Sequence, residues 1–149
     1  TYWPQLFLGL TFNWGIIMAW AAINSGISYE IIMLYASAIF WTLGYDTIYG
    51  AQDMKDDEII GIKSTTIKFK KNIKLFIASN YSLTFLILLY LFNNRIGFNF
   101  FTILFFIFIS SLIFQIIKFN ISKPSVCLSL FKSNNLTGLI LFLSIMAIY

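Results

Sequence analysis

Long apolar runs separated by short polar breaks set the pattern of this chain. The runs cover residues 6–23, 31–51, 75–92, 98–117 and 136–149. A helix that crosses a membrane needs about 20 mostly apolar residues, so the first four are long enough. The fifth, at 14 residues, is short for a full crossing. Pro4 precedes the first run and suits a helix start, and Asn24-Ser25-Gly26 ends it. Asn93-Asn94-Arg95 turns the chain between the third and fourth runs. Two longer polar segments, 52–74 and 118–135, join the second run to the third and the fourth to the fifth. The pattern predicts an all-α, multi-pass transmembrane bundle of about five helices, forming one membrane-embedded domain over 1–149.

Charge placement adds an orientation. Five alternating crossings put both polar segments on one side of the membrane. That side carries all the lysines: Lys55, Lys63, Lys68, Lys70, Lys71, Lys74, Lys118, Lys123 and Lys132. The other side has only Arg95. Lysine-rich loops stay cytoplasmic, so both segments are expected there. Most tryptophans and tyrosines fall near run ends, where interfacial rings belong.

Composition agrees and excludes several function classes. Hydrophobic residues make up 59% and charged residues 11%, against about 25% charged in soluble domains. The net charge of +4 is explained by topology and points to membrane lipid head groups, with no nucleic acid as partner. The chain has no histidine, which removes a histidine base, a Ser/His/Asp triad and the usual transition-metal sites. Its single cysteine, Cys127, forms no internal disulfide. The richness in Ile, Phe, Lys and Asn fits an AT-rich genome.

The acidic residues are concentrated. Of six, all but Glu30 lie between Asp46 and Glu58. At about 100° per residue, positions seven and eleven along a helix return to within about 20° of the start. A helix continuing through this stretch would therefore stack Asp46, Asp53 and Asp57 in a column, with Gly50 leaving room beside it. Stacked carboxylates repel unless a cation sits among them. Hard carboxylate oxygens suit Mg²⁺, commonly held by one or two carboxylates together with substrate phosphates. Lys63 follows six residues after Asp57 and is placed to meet the same anion, with Lys68, Lys70 and Lys71 as further candidates. Tyr45 and Tyr49 flank Asp46, either as interfacial rings or as π faces lining a cavity. Carboxylates for metal, lysine for phosphate and an apolar bundle for a long tail suit a membrane enzyme acting on a lipid diphosphate. Two other readings remain: a solvated charged loop, or a transporter fragment using aspartates for cation or proton passage.

The run Tyr45-Asp46-Thr47-Ile48-Tyr49, then Gln52-Asp53, Asp56-Asp57 and Gly61-Ile62-Lys63-Ser64-Thr65 resembles the second aspartate motif of the UbiA family of intramembrane prenyltransferases. Pro4-Gln5 with Leu8-Gly9, and Asn134-Asn135 with Gly138-Leu139, resemble the same family. The likeness is nearest to its members that prenylate 4-hydroxybenzoate in ubiquinone biosynthesis. The resemblance implies that Asp53 and Asp57 are the catalytic, Mg²⁺-holding aspartates. It also implies that Lys63 belongs to a loop capping the site, where we add Asp46 and Tyr49 as diphosphate-binding candidates. The implied substrates are a polyprenyl diphosphate and 4-hydroxybenzoate, and the expected location is a bacterial inner membrane. Family members have about nine helices and two aspartate motifs. This chain resembles the C-terminal half, so it is expected to need an N-terminal half, on a separate chain or its own, and to be inactive alone.

Overall fold

The computed structural model describes residues 1–148. Eight α-helices, and no strand among the described residues, make up the chain: α1 (Pro4–Phe12), α2 (Trp14–Ile23), α3 (Tyr29–Gly50), α4 (Met54–Ile59), α5 (Thr65–Lys68), α6 (Ile73–Phe92), α7 (Phe100–Lys118) and α8 (Pro124–Met146). The five segments long and apolar enough to cross a membrane are α1 with α2, α3, α6 with its flanking turns, α7 and α8. The all-α membrane bundle expected from the pattern is what forms.

Local chemistry explains the boundaries. The Ser28 hydroxyl accepts from the Ile31 N–H and opens α3, and Asn99 does the same for α7 through the Thr102 N–H at 2.9 Å. Both satisfy amides that have no partner inside the helix. The first span is broken at Asn13, whose amide donates to the Gly9 carbonyl and to Thr42 Oγ1, both at 2.8 Å.

The fifth span differs from its expected bounds. Its helix starts at Pro124, in the first-turn position that proline favours, so the polar segment 118–135 shrinks to a turn at 119–123. The polar residues that disguised the first turns are accommodated on the helix surface. Ser125, Ser129 and Lys132 are exposed, and the Ser133 hydroxyl donates to the Leu130 carbonyl at 2.6 Å. Cys127, Leu130 and Asn134 form the buried stripe. At 23 residues and about 1.5 Å per residue, α8 is long enough to cross.

Helix α3 is the centre, packed against α1, α2, α6 and α8, while α7 lies on α8 and α6. The core between them includes Ile48, Ile77, Leu88, Phe105 and Phe108, all with no accessible surface. Gly44 lets α3 and α6 approach closely. A Cβ there would collide with the Tyr81 ring, in keeping with the use of small residues at membrane helix contacts. Bare apolar side chains such as Phe7, Met18, Phe114 and Phe142 cover the outside.

Candidate active site

The last two turns of α3 carry the aromatic and acidic residues of the sequence motif. Tyr45 packs edge-on to Trp41 and tilted on Phe131, each with ring centroids 5.9 Å apart. Tyr49, one turn on, meets Phe131 at 4.6 Å. Trp41, Tyr45 and Phe131, with Asn13 and Asn134, line a cleft of about 260 Å³ between α1, α3 and α8. Asp46 is half-buried on α3 and does not line that cleft.

The helix does not continue through the acidic stretch, which corrects the expected column of Asp46, Asp53 and Asp57. It ends at Gly50, and Asp53 becomes the residue that starts α4. Two effects act together. Gly50 weakens the helix, and Thr66 fills the space beside it, where a Cβ would press on the Thr66 side chain. Asp53 and Asp57 keep their mutual relationship: the Asp57 N–H donates to the Asp53 carbonyl at 2.9 Å, so they stand one turn apart on α4. Asp53 is exposed and Asp57 half-buried. The Gln52 amide donates to both Asp53 carboxylate oxygens, at 3.2 and 3.3 Å.

Gly61 ends α4. Its φ of +76° is the left-handed conformation that side chains resist. The Gly61 N–H reaches the Glu58 carbonyl and the Ile62 N–H reaches the Asp57 carbonyl at 2.9 Å, the paired bonds of a Schellman cap. The chain then turns back to span α3. Ser64 caps α5 through the Ile67 N–H. The Thr65 and Thr47 hydroxyls bond at 2.9 Å, and the Thr66 hydroxyl donates to the Thr47 carbonyl at 3.1 Å. Residues 64–66 are buried on α3, whereas Lys63 is exposed. Lys70 pairs with Glu58 at 2.7 Å, the only ion pair among the described residues, so neither Lys63 nor Lys68 is neutralised.

A buried polar chain that the sequence reading missed stabilises this end of the bundle. The Tyr81 hydroxyl donates to Gln115 Oε1 at 2.6 Å. Gln115 and Asn134 exchange amide hydrogen bonds at 3.2 Å, and the Trp41 indole donates to Asn134 Oδ1 at 3.0 Å. One residue each from α3, α6, α7 and α8 is thereby joined beside the cleft. The visible signal was Gln115, an amide inside an otherwise apolar run, since polar groups within a membrane need partners.

The family model described as the UbiA prenyltransferase family matches residues 1–145. The chain belongs to the UbiA prenyltransferase family. Relatives include the Bos taurus 4-hydroxybenzoate polyprenyltransferase, mitochondrial, 43% identical over 148 residues, or 97% of this chain and 39% of the relative. The Homo sapiens protein of the same name is 41% identical over 150 residues, again 97% and 39%. The Arabidopsis thaliana protein is 50% identical over 78 residues, 52% of this chain and 19% of the relative. This chain thus spans about two fifths of the length of the curated relatives it matches. No solved structure matches it.

UbiA prenyltransferases generally depend on a divalent metal, and the donors of this chain fit a hard cation in part. Among the described residues no three His, Cys, Asp or Glu side chains come together to hold one. Asp53 and Asp57 offer carboxylate oxygens one turn apart, and the neighbouring Gln52 Oε1 is buried without a partner. That set suits an ion that completes its shell with phosphate oxygens.

Proposed function

We propose that this chain forms the diphosphate-gripping part of a prenyltransferase that moves a polyprenyl group from polyprenyl diphosphate to 4-hydroxybenzoate in ubiquinone biosynthesis. The observation that carries this reading is the loop after α3. It presents Asp53 and Asp57 one turn apart, then exposes Lys63 beyond a glycine-terminated helix, while its threonines are locked to the membrane span. The names of the relatives supply the substrate class.

In this reading Asp53 and Asp57 hold Mg²⁺, with Asp46 supporting them from α3. A divalent ion held by these two carboxylates would supply positive charge to offset the negative charge of the leaving diphosphate. Lys63 binds the same anion, and Tyr49 stands at its edge. The allylic C–O bond breaks and diphosphate leaves with the electron pair. The ring carbon ortho to the phenol of 4-hydroxybenzoate attacks the allylic carbon, and the ring proton passes to a carboxylate or to water. Tyr45, Trp41 and Phe131 keep water from the cation as it forms. The rest of the metal site comes from an N-terminal half, so the chain alone is inactive. The lysine-bearing loops face the cytoplasm or its organellar equivalent. The relatives carry a mitochondrial location in their names, which supports a mitochondrial-type membrane as the location of this chain over the bacterial inner membrane expected from the sequence.

The test is transfer from a radiolabelled polyprenyl diphosphate to 4-hydroxybenzoate in membranes containing the complete polypeptide, with and without chelator. Full transfer in chelator, or in the Asp53→Ala/Asp57→Ala double variant, rules the mechanism out. Transfer to a different aromatic acceptor keeps the mechanism and rejects the acceptor.

A further inference from the structure

The segment before and within the first turn of α1 touches the connecting loop at three successive points. The Lys63 ammonium lies 5.7 Å from the Tyr2 ring centroid. The Lys68 ammonium lies 4.3 Å from the Trp3 ring centroid. Between them, the Thr65 N–H donates to Gln5 Oε1 at 3.0 Å. We infer that Tyr2, Trp3 and Gln5 form a template that sets the two unneutralised lysines of the loop, with Gln5 as the positioning residue; the inference rests on the reading of this loop as a diphosphate grip.

Gln5 is suited to the part. It is 6% exposed, and a buried amide without a partner costs more than an exposed one. The Thr65 N–H sits at the start of α5 and has no acceptor within that helix. Gln5 provides one from a different membrane span, across 60 residues of sequence. On the other side Thr65 is fixed by the Thr47 hydroxyl. The loop is therefore held between α1 and α3 at one residue, and Lys63 and Lys68 flank that point in sequence. Trp3 is itself braced by Phe69 and Phe76, with centroids 5.8 and 6.4 Å away, so the face under Lys68 does not depend on Gln5. Cations over aromatic faces retain their charge and an open side for an anion.

Two substitutions of similar size separate positioning from packing. Gln5→Met removes the acceptor, whereas Gln5→Glu retains it. The purified complete polypeptide in lipid nanodiscs is titrated with inorganic diphosphate in the presence of Mg²⁺ by calorimetry, and amide exchange at Thr65 is followed on the same samples. Gln5→Met is expected to weaken diphosphate binding about tenfold and to speed Thr65 exchange at least as much, as loss of one buried hydrogen bond does. Gln5→Glu, which keeps the acceptor but adds a negative charge, is expected to hold Thr65 exchange within about threefold. Trp3→Leu, a second variant that leaves the Gln5 bond in place, is expected to weaken diphosphate binding without changing Thr65 exchange. Wild-type affinity and exchange in Gln5→Met overturn the positioning role. Equal loss of Thr65 protection in Gln5→Met and Gln5→Glu also overturns it, since the acceptor would not be what matters. Absence of diphosphate binding by the unchanged complete polypeptide instead overturns the diphosphate reading of the loop, and the two failures are told apart by that control.

Discussion

The indole N–H of Trp41 on α3 donates to Asn134 Oδ1 on α8 at 3.0 Å, joining residues 93 apart in sequence. The same Asn134 exchanges bonds with Gln115 on α7, which in turn accepts from Tyr81 on α6. Hydrogen bonds between membrane helices contribute about 0.6 kcal/mol on average and about 1.7 at most. Asn134→Ala leaves Trp41 and Gln115 short of partners, so it is expected to cost about 1–3 kcal/mol. Reversible unfolding in mixed detergent micelles measures this. A Trp41→Phe/Asn134→Ala double-mutant cycle with no coupling would show that the bond contributes nothing.

Two glycines give a paired prediction. Gly15 has open space around its missing Cβ, whereas a Cβ on Gly44 meets the Tyr81 ring. Gly15→Ala gains helix propensity and is expected to be neutral or stabilising by about 0.5–1 kcal/mol. Gly44→Ala forces α3 and α6 apart and is expected to cost about 1–3 kcal/mol. The same unfolding assay compares them, and equal effects would mean that the close contact is not limiting.

Gly61→Ala tests the loop without touching a charged group. The +76° φ costs a side-chain-bearing residue about 1–2 kcal/mol. Because Gly61 is exposed, the loss is expected in the loop and not in the bundle. Amide exchange at Ile62, whose N–H is bonded to the Asp57 carbonyl, should speed up about tenfold or more, with the unfolding midpoint unchanged.

Four spans were legible in the sequence because each is a nearly unbroken apolar run. The capping residues Ser28 and Asn99 fix the starts of α3 and α7 more closely than the apolar runs did. The fifth was half hidden because Ser125, Ser129, Lys132 and Ser133 read as a loop, although a helix surface accepts them readily. The break at Gly50 was hidden for a different reason. Thr66, sixteen residues downstream, packs into the glycine notch, and no local pattern reports a contact of that range. The partners of Gln5, Tyr81 and Gln115 were illegible for the same reason. Their need for partners could be read from a polar group in an apolar run, but not which helix would supply them.

Membrane topology makes an independent prediction. Lys70 precedes α6 and Arg95 follows it, across a helix of 20 residues, or about 30 Å. Single cysteines at Lys70 and Arg95, in a background where the buried Cys127 is replaced by serine, should be labelled by an impermeant maleimide from opposite sides. Labelling of both from one side would reject the five-crossing arrangement.

Asp46 provides the last test, because it separates the three aspartates by position. Asp53 stands at the N-cap of α4 and Asp57 lies one turn on within it, their backbones joined by the Asp57 N–H to Asp53 carbonyl bond. Asp46 belongs to α3, beyond the break at Gly50, where it is half-buried and outside the cleft lined by Tyr45. A residue so placed acts on the diphosphate site through its neighbours. In the complete polypeptide Asp46→Asn is therefore expected to lower prenyl transfer about 10–100-fold, the usual scale for groups that orient metal ligands. Asp53→Asn and Asp57→Asn are expected to abolish transfer while leaving the protein inserted in the membrane. Raising Mg²⁺ should restore part of the loss in either single α4 variant and have little effect on Asp46→Asn, which still has both ligands. A loss in Asp46→Asn as deep as in Asp53→Asn, and equally answered by Mg²⁺, would mean that α3 and α4 close together around the cation and that Asp46 touches it directly.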